Sequence, residues 1–144
     1  MSTTSLGQIS RVAVLARSTV FSGLSGDDLA MLAEMMHLER FAAGELVCQR
    51  GEPADAVFVV VSGTLEVLLD GASGEAPVLG AGDVFGEYGM FRHVRTSTVK
   101  ATSEAVLLSL DYVRFESFLL QFPAVTLALL ELTVTRMFGK PEGR

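Results

Sequence analysis

Short β-like segments separated by glycines fill the middle of this chain, and they restrict its fold more than any other feature. Glycines recur at Gly44, Gly51, Gly63 and Gly71, and residues 57–61 form a β-branched and aromatic run typical of a buried strand. Further strands are predicted around these positions, within TLEVLL, APVLGAGDVFGE, RTSTVKATS and EAVLLSLD. The pattern predicts about eight short strands in succession.

Helical patterns lie on both sides of these strands. Residues 8–18 have a helical spacing of apolar side chains, and Ser25 is a candidate N-cap for a second helix that ends near His37. Asp111 is a candidate cap for a helix that stops before Pro123. A last helix follows, with the sequence AVTLALLELTVTRMF.

The order helices, strands, helices predicts an α+β fold. No long helix separates consecutive strands, which favours an antiparallel eight-stranded β-roll, similar to a jelly roll, over a doubly wound parallel sheet. With 144 residues the chain is expected to form one domain. We expect an N-terminal helical segment at 1–37, the roll at 38–110 and C-terminal helices at 111–139.

The last helix is apolar on nearly every side. A helix of this kind is expected to be buried on every side. One side can lie on the roll, and the other requires a lid contact, a second subunit such as a homodimer partner, or a missing output domain. After Phe138 only GKPEGR remains, so we expect that the module acts alone or that its output domain has been cut away.

Charge and composition exclude several functions. The formal net charge is −6, from 11 basic and 17 acidic residues, so direct DNA binding by this chain is not expected. No apolar run reaches the roughly 20 residues that span a bilayer, and no transmembrane segment is predicted. The single cysteine, Cys48, fits a reducing compartment, and we predict a cytoplasmic protein with Cys48 as a core residue.

Residues 85–98, FGEYGMFRHVRTST, combine groups suited to a nucleotide monophosphate. Gly86 permits close approach of the backbone to a ligand, and the amides that follow it can bind an anion. Glu87 can accept a hydrogen bond from a sugar hydroxyl, and Arg95 can pair with a phosphate. The hydroxyls of residues 96–98 add further donors and acceptors.

This segment resembles the phosphate-binding cassette of the cyclic nucleotide-binding domain family, in which F-G-E opens a short helix and an arginine before small or hydroxyl residues closes it. The family includes the regulatory domains of catabolite-activator, protein kinase A and cyclic-nucleotide-gated channel type. Upstream, GEPADAVFVVVSGTLEV is similar to the same family's glycine-acid-aromatic-strand-glycine signature. The matching positions are Gly51, Asp55, Phe58, Val60, Gly63, Leu65 and Val67.

The resemblance implies a cAMP or cGMP ligand and a role for each matching residue. Gly86 and Glu87 would hold the ribose 2′-hydroxyl, and Arg95 would pair with the cyclic phosphate. The last helix would fold over the base as a lid. The remaining roles fall to Tyr88 and Gly89 through their backbone amides, to Thr96 and Ser97 at the phosphate or base, and to Arg136 stacked on the base.

Three departures from the family pattern affect the cassette. It is one residue shorter between Glu87 and Arg95, Val94 stands where proline is frequent, and Tyr88 replaces an aliphatic residue. Arg92 is an alternative phosphate partner, but only Arg95 directly precedes the hydroxyl-rich strand. The neighbouring Met90 and Phe91 are expected in the core.

No enzyme activity, metal or cofactor is predicted. The hydroxyls after Arg95 have only His93 as a nearby base, and His37 and His93 without further ligands do not make a metal site. Two functions stay open: a regulatory module whose ligand moves the last helix, and a degenerate roll used for docking or dimerisation. Thr96 can accept a hydrogen bond from guanine, yet we favour cAMP as the commoner ligand of such domains.

Overall fold

The computed structural model describes residues 11–68 and 77–139. Within those residues the elements follow the predicted order of helices, eight short strands and helices. Their bounds are α1 (11–17), α2 (Gly26–Met35), β1 (His37–Phe41), β2 (Leu46–Cys48), β3 (Ala56–Ser62), β4 (Leu65–Leu68), β5 (Val78–Leu79), β6 (Val84–Phe85), α3 (Gly89–Arg92), β7 (Thr98–Ala101), β8 (Ala105–Asp111), α4 (Tyr112–Gln121) and α5 (Pro123–Phe138).

The strands form two four-stranded antiparallel sheets, ordered β1-β8-β3-β6 and β2-β7-β4-β5. In the first sheet Val59 lies opposite Leu108, and in the second Val67 lies opposite Val99. The chain changes sheet at every connection except that between β4 and β5. This arrangement confirms the predicted antiparallel β-roll with flanking helices.

Strand β3 separates two hydrophobic clusters, because successive side chains of a strand point to opposite faces. Val57 and Val59 pack with helical residues such as Phe115. Phe58 and Val60 face the other way, into the cluster between the two sheets. The second cluster leads directly to the cassette (residues 85–98).

The position between β3 and β4 requires glycine for a steric reason. Gly63 has a φ of 87°, in the left-handed region. A Cβ at this position would lie 2.2 Å from the carbonyl oxygen of Glu104. A side chain therefore cannot replace this glycine without moving the neighbouring turn.

The N-terminal helices are held by the cap of α2 and by long-range hydrogen bonds of Arg11. The Ser25 hydroxyl accepts a 3.1 Å hydrogen bond from the amide of Asp28, which confirms the predicted N-cap. Helix α2 ends just before His37, which begins β1. Arg11 of α1 donates a 3.1 Å hydrogen bond to the carbonyl of Met36 and so satisfies a carbonyl beyond the end of α2.

Helix α4 begins after its predicted cap, and α5 begins one residue before its predicted start. The Asp111 carboxylate accepts a 3.2 Å hydrogen bond from the amide of Arg114, which confirms the cap of α4. Pro123 is the first residue of α5. Proline is tolerated there because the N–H of a first helical residue makes no hydrogen bond within the helix, so its absence costs none.

Within the described part of the chain, helix α5 is buried along one side only, and burial of its other side by a second subunit or an output domain stays a prediction. Val125 and Leu129 are buried against α4 and the roll. The helices α4 and α5 meet at 115°, so only one flank of α5 reaches the rest of the molecule. Its exposed apolar residues are Leu127, Leu130, Val134, Met137 and Phe138.

No single helix within residues 11–68 and 77–139 has the length and apolar composition to cross a membrane. By length and composition alone, α4 and α5 pass that test together as a bent pair.

Candidate functional site

The cassette leaves the roll at the end of β6. Phe85 of that strand lies opposite Phe58, and their rings stack at 5.0 Å. The next residue, Gly86, has a φ of 90°. A Cβ there would lie 2.9 Å from Nη1 of Arg95 and 3.2 Å from the carbonyl oxygen of Ala56. Glycine therefore allows the arginine to lie directly against the turn.

The end of the cassette is bound to the loop between β2 and β3. The amide of Arg95 donates to the carbonyl of Glu52 at 2.8 Å, and the amide of Gly51 donates to the carbonyl of Arg95 at 2.9 Å. A third bond joins the amide of Ala54 to the carbonyl of His93 at 3.1 Å. These bonds connect the two sequence signatures in space.

The eight ligand-binding residues predicted from the sequence line one cavity of about 260 Å³. Residues that the prediction did not include complete its wall. The predicted set is Gly86, Glu87, Tyr88, Gly89, Arg95, Thr96, Ser97 and Arg136, and the additional residues are Cys48, Val67, Pro77, Leu79, Phe85 and Val99.

Arg95 is buried and held in one orientation. Its Nη1 donates to the carbonyl of Ala56 at 2.9 Å and to the hydroxyl of Tyr112 at 3.3 Å, and its guanidinium lies 5.0 Å from the ring centre of Phe58. Asp55 is 3.8 Å from Nη2, beyond hydrogen-bond distance. A guanidinium has five N–H donors, so those on Nε and Nη2 have no acceptor among the residues described.

The turn before α3 supplies further donors. The amides of Glu87, Tyr88 and Gly89 donate no hydrogen bond to any residue in 11–68 or 77–139. The amides of residues 90–93 donate to the carbonyls of these three residues instead, and His93, the C-terminal cap of the one-turn helix α3, has a left-handed φ of 65°. Glu87, Tyr88 and Gly89, which carry these amides, line the same cavity as Arg95.

Glu87 is the buried acid of the site. Its Oε1 accepts a 2.6 Å hydrogen bond from Nη1 of Arg136, whose Nη2 donates to the carbonyl of Val84. Its Oε2 is buried and has no hydrogen-bond partner within the described chain. A buried carboxylate oxygen without a donor is costly, so Oε2 is suited to accept a hydrogen bond from a donor in the cavity. Arg136 therefore contacts the cassette acid, whereas the sequence prediction placed it on a base.

Several side chains differ from their predicted positions. Cys48, expected in the core, is half-buried: it packs against the cluster between the sheets and also lines the cavity, and burial raises the pKa of its thiol above the ordinary value of 9.0. Phe91, also expected in the core, is 76% exposed because the short α3 turns it outward, while Met90 packs against the helical cluster. Burial and the charge of Glu87 raise the pKa of the Tyr88 hydroxyl.

The role of Tyr112 was not predicted. It begins α4, and its hydroxyl donates a 2.5 Å hydrogen bond to the carbonyl of Gly86 while accepting from Arg95. These partners are 26 and 17 residues away in the chain. No local pattern around Tyr112 indicates this contact.

A larger cleft of about 460 Å³ shares Arg95 and Cys48 with the smaller cavity. Its charged wall contains Glu39, Glu52, Asp55 and Asp111 beside that one guanidinium. The smaller cavity instead contains two guanidinium groups and one carboxylate. A phosphate is therefore favoured in the smaller cavity and repelled from the larger cleft.

The family of this chain follows from its similarity to known proteins. The family model of the cyclic nucleotide-binding domain matches residues 38–122. This chain belongs to the cyclic nucleotide-binding domain family. A cyclic nucleotide-gated potassium channel of Rhizobium etli is 30% identical over 131 residues, which cover 90% of this chain and 36% of the channel.

Two other members of the cyclic nucleotide-binding domain family extend the comparison. A CRP-like cAMP-activated global transcriptional regulator of Mycobacterium tuberculosis is 27% identical over 86% of this chain and 57% of its own length. The co-crystal structure of the regulatory domain of Toxoplasma gondii PKA with cAMP superposes with a TM-score of 0.68, at 26% identity over 77% of this chain and 44% of that one. This chain thus spans 36% and 57% of the lengths of the two curated relatives.

Proposed function

We propose that this chain is a cAMP-binding regulatory module. The observation that supports the proposal best is the pairing of unused groups in one cavity. Arg95 and three turn amides provide donors without acceptors, and Glu87 provides a buried acceptor without a donor. A cyclic nucleotide offers a phosphate to the first set and a ribose hydroxyl to the second.

Charge favours the phosphate end of this proposal. The ionised residues of the cavity wall are Arg95, Arg136 and Glu87, which together carry one net positive charge. A cyclic phosphodiester carries one negative charge, so binding neutralises the site. Nε and Nη2 of Arg95 can form charge-assisted hydrogen bonds to the two exocyclic phosphate oxygens.

The ribose end depends on Glu87. In our proposal its Oε1 stays paired with Arg136, and its Oε2 accepts a hydrogen bond from the 2′-hydroxyl of the ribose. The side chain is 5% exposed, so this bond forms in a site of low dielectric, where it is stronger than in water.

Apolar side chains and hydroxyls form the remaining wall, where we place the base. Val67, Leu79 and Val99 can contact its faces, and we assign Thr96 and Ser97, which line the same cavity, to contacts with the phosphate or the base. We propose cAMP as the primary ligand because cAMP is named for both the Mycobacterium regulator and the Toxoplasma structure. The alternative is a preference for guanine, with cGMP as the ligand.

Coupling to the last helix is the regulatory part of the proposal. Arg136 belongs to α5 and contacts the acid that we assign to the ribose. A ligand hydroxyl on Oε2 lowers the energy of the state in which Glu87 is buried beneath α5, and so shifts the equilibrium towards the docked helix. A partner that reads the position of α5 would then respond to the nucleotide.

A degenerate roll that serves for docking or dimerisation is the second candidate. The exposed apolar residues of α5 favour it, since an apolar surface of this kind is frequent at protein interfaces. In either case we propose no catalytic activity, no direct DNA contact and a cytoplasmic location.

Thermal unfolding with a ligand panel tests the function. At a concentration of cAMP 100 times its Kd, binding stabilises a protein by about 2.7 kcal/mol, which corresponds to a rise in Tm of roughly 5–10 °C for a chain of this size. We expect this rise with cAMP and not with 5′-AMP, whose phosphate is not cyclic and carries an additional charge. Equal Tm values with and without cAMP would favour the docking function.

A further inference from the structure

Tyr112 connects α4 to the cassette through a single hydroxyl. This hydroxyl donates to the carbonyl of Gly86 at 2.5 Å and accepts from Nη1 of Arg95 at 3.3 Å. It is also enclosed by the cassette, because a Cβ on Gly89 would lie 2.4 Å from it and 2.6 Å from the Cβ of Ala54. The hydroxyl thus has a fixed position against both ends of the cassette.

The hydrogen bonds of Arg95 leave one edge of its guanidinium for a ligand. Nη1 has two N–H groups, and these donate to the carbonyl of Ala56 and to the hydroxyl of Tyr112. The ring of Phe58, 5.0 Å from the guanidinium carbon, fixes the plane of the group. Rotation of the guanidinium would break both Nη1 bonds, so Nε and Nη2 stay on the same edge.

We propose that Tyr112 is a positioning residue for the phosphate contact of Arg95, an inference that rests on the proposed function. Without the hydroxyl, Nη1 loses one of its two acceptors and the carbonyl of Gly86 loses its donor. The guanidinium can then rotate, and the turn that leads to Glu87 loses a support. Phosphate recognition is therefore more sensitive to this hydroxyl than the stability of the fold is.

The protonation of Tyr112 agrees with this role. Burial, together with the charges of Asp55 and Glu87, raises the pKa of its hydroxyl and outweighs the opposite effect of Arg95. The hydroxyl therefore stays protonated near pH 7 and can donate to Gly86 while it accepts from Arg95.

The substitution Tyr112→Phe removes only the hydroxyl, and Val113→Ala, at an exposed neighbouring position of α4, is the control. We would measure the affinity of each protein for cAMP and for its Sp and Rp phosphorothioates, which differ in the phosphate oxygen that sulfur replaces. We expect Tyr112→Phe to weaken cAMP binding roughly three- to tenfold and to change the Sp to Rp affinity ratio by about threefold or more. Val113→Ala should retain both wild-type values.

If Tyr112 served only the stability of the fold, these measurements would have a different result. If Tyr112→Phe lowers Tm and weakens both phosphorothioates equally, or if it changes neither affinity nor ratio, the inference is wrong. Nitrogen-15 spectra of the arginine side chains in the free protein provide a readout without ligand: Arg95 should have resolved Nη signals in the wild type that merge in Tyr112→Phe. If the wild type binds no cyclic nucleotide, the proposed function fails, while identical Arg95 spectra in both proteins would refute the positioning role itself.

Discussion

Arg136, in the last turns of α5, donates a 2.6 Å hydrogen bond to the carboxylate of Glu87, a residue 49 positions earlier in the chain. The Glu87 side chain is 5% exposed and that of Arg136 is 25% exposed, so the ion pair is largely shielded from solvent. A second bond from Arg136 reaches the carbonyl of Val84. The C-terminal helix is thereby attached to the turn that begins the cassette.

Removal of Arg136 should release α5. In Arg136→Ala the buried Glu87 loses its partner, which we expect to cost about 1–3 kcal/mol of the free energy of unfolding. Amide hydrogen exchange in residues 130–138 should become faster, and cAMP should bind more weakly. Arg114→Ala, which removes an exposed arginine that pairs only with Asp111 in the described chain, is the control. Equal exchange in α5 of Arg136→Ala and wild type would show that this ion pair does not hold the helix.

The role of Glu87 can be tested with 2′-deoxy-cAMP, which lacks the hydroxyl that we assign to Oε2. The wild type should bind this analogue about ten- to hundredfold more weakly than cAMP, because a hydrogen bond to a charged group contributes roughly 1.5–3 kcal/mol. In Glu87→Gln the difference between the two ligands should shrink. Glu116→Gln, at an exposed position of α4, should keep the wild-type ratio. An unchanged ratio in Glu87→Gln would place the ribose elsewhere.

Arg95 should dominate the affinity for the phosphate. We expect Arg95→Ala to lose about 1.5–3 kcal/mol of binding free energy, roughly a ten- to hundredfold weakening, while the fold is kept. Arg92→Ala is the matched control, since Arg92 lies in the same cassette but is exposed. Calorimetric titration with cAMP measures both, and circular dichroism checks the fold. A larger loss in Arg92→Ala than in Arg95→Ala would reverse the assignment.

The half-buried thiol of Cys48 should make stability sensitive to alkaline pH. Burial raises the pKa of Cys48 in the folded state above 9.0, its value in the unfolded chain. The unfolded chain then releases its proton first, so the contribution to stability is complete below about pH 9 and declines as the pH rises towards the folded pKa. Urea unfolding under reducing conditions at pH 8 to 10.5 should show a smaller loss for Cys48→Ala than for the wild type. Parallel pH curves for the two proteins would exclude this effect.

Features set by local chemistry were predictable from the sequence. The caps Ser25 and Asp111 depend on a side chain and an amide three residues later, so their pattern is visible within one helical turn. Gly86, Glu87 and Arg95 lie within ten residues of one another, which is why the cassette was recognisable.

Features set by packing between distant elements were not predictable. Tyr112 reaches the cassette only because α4 folds back on it, and its spacing carries no sequence signal. Arg136 was predicted at the site, but its contact with Glu87 depends on how α5 folds back and was not. Phe91 has the composition of a core residue, yet the single turn of α3 points it outward. Cys48 reads as a core residue, but the cavity between the sheets extends to it. The exposed apolar surface of α5 was not predictable for the same reason. The composition of a helix shows that it is apolar, but not how much of its surface the rest of its own chain buries.

Isothermal titration calorimetry of the wild type with cAMP and with cGMP tests the central claim most directly. The account predicts a saturable binding heat with one site per chain, tighter for cAMP, and a loss of roughly ten- to hundredfold in affinity in Arg95→Ala. The absence of a binding heat with either nucleotide at millimolar concentration, together with an unchanged Tm, would contradict it.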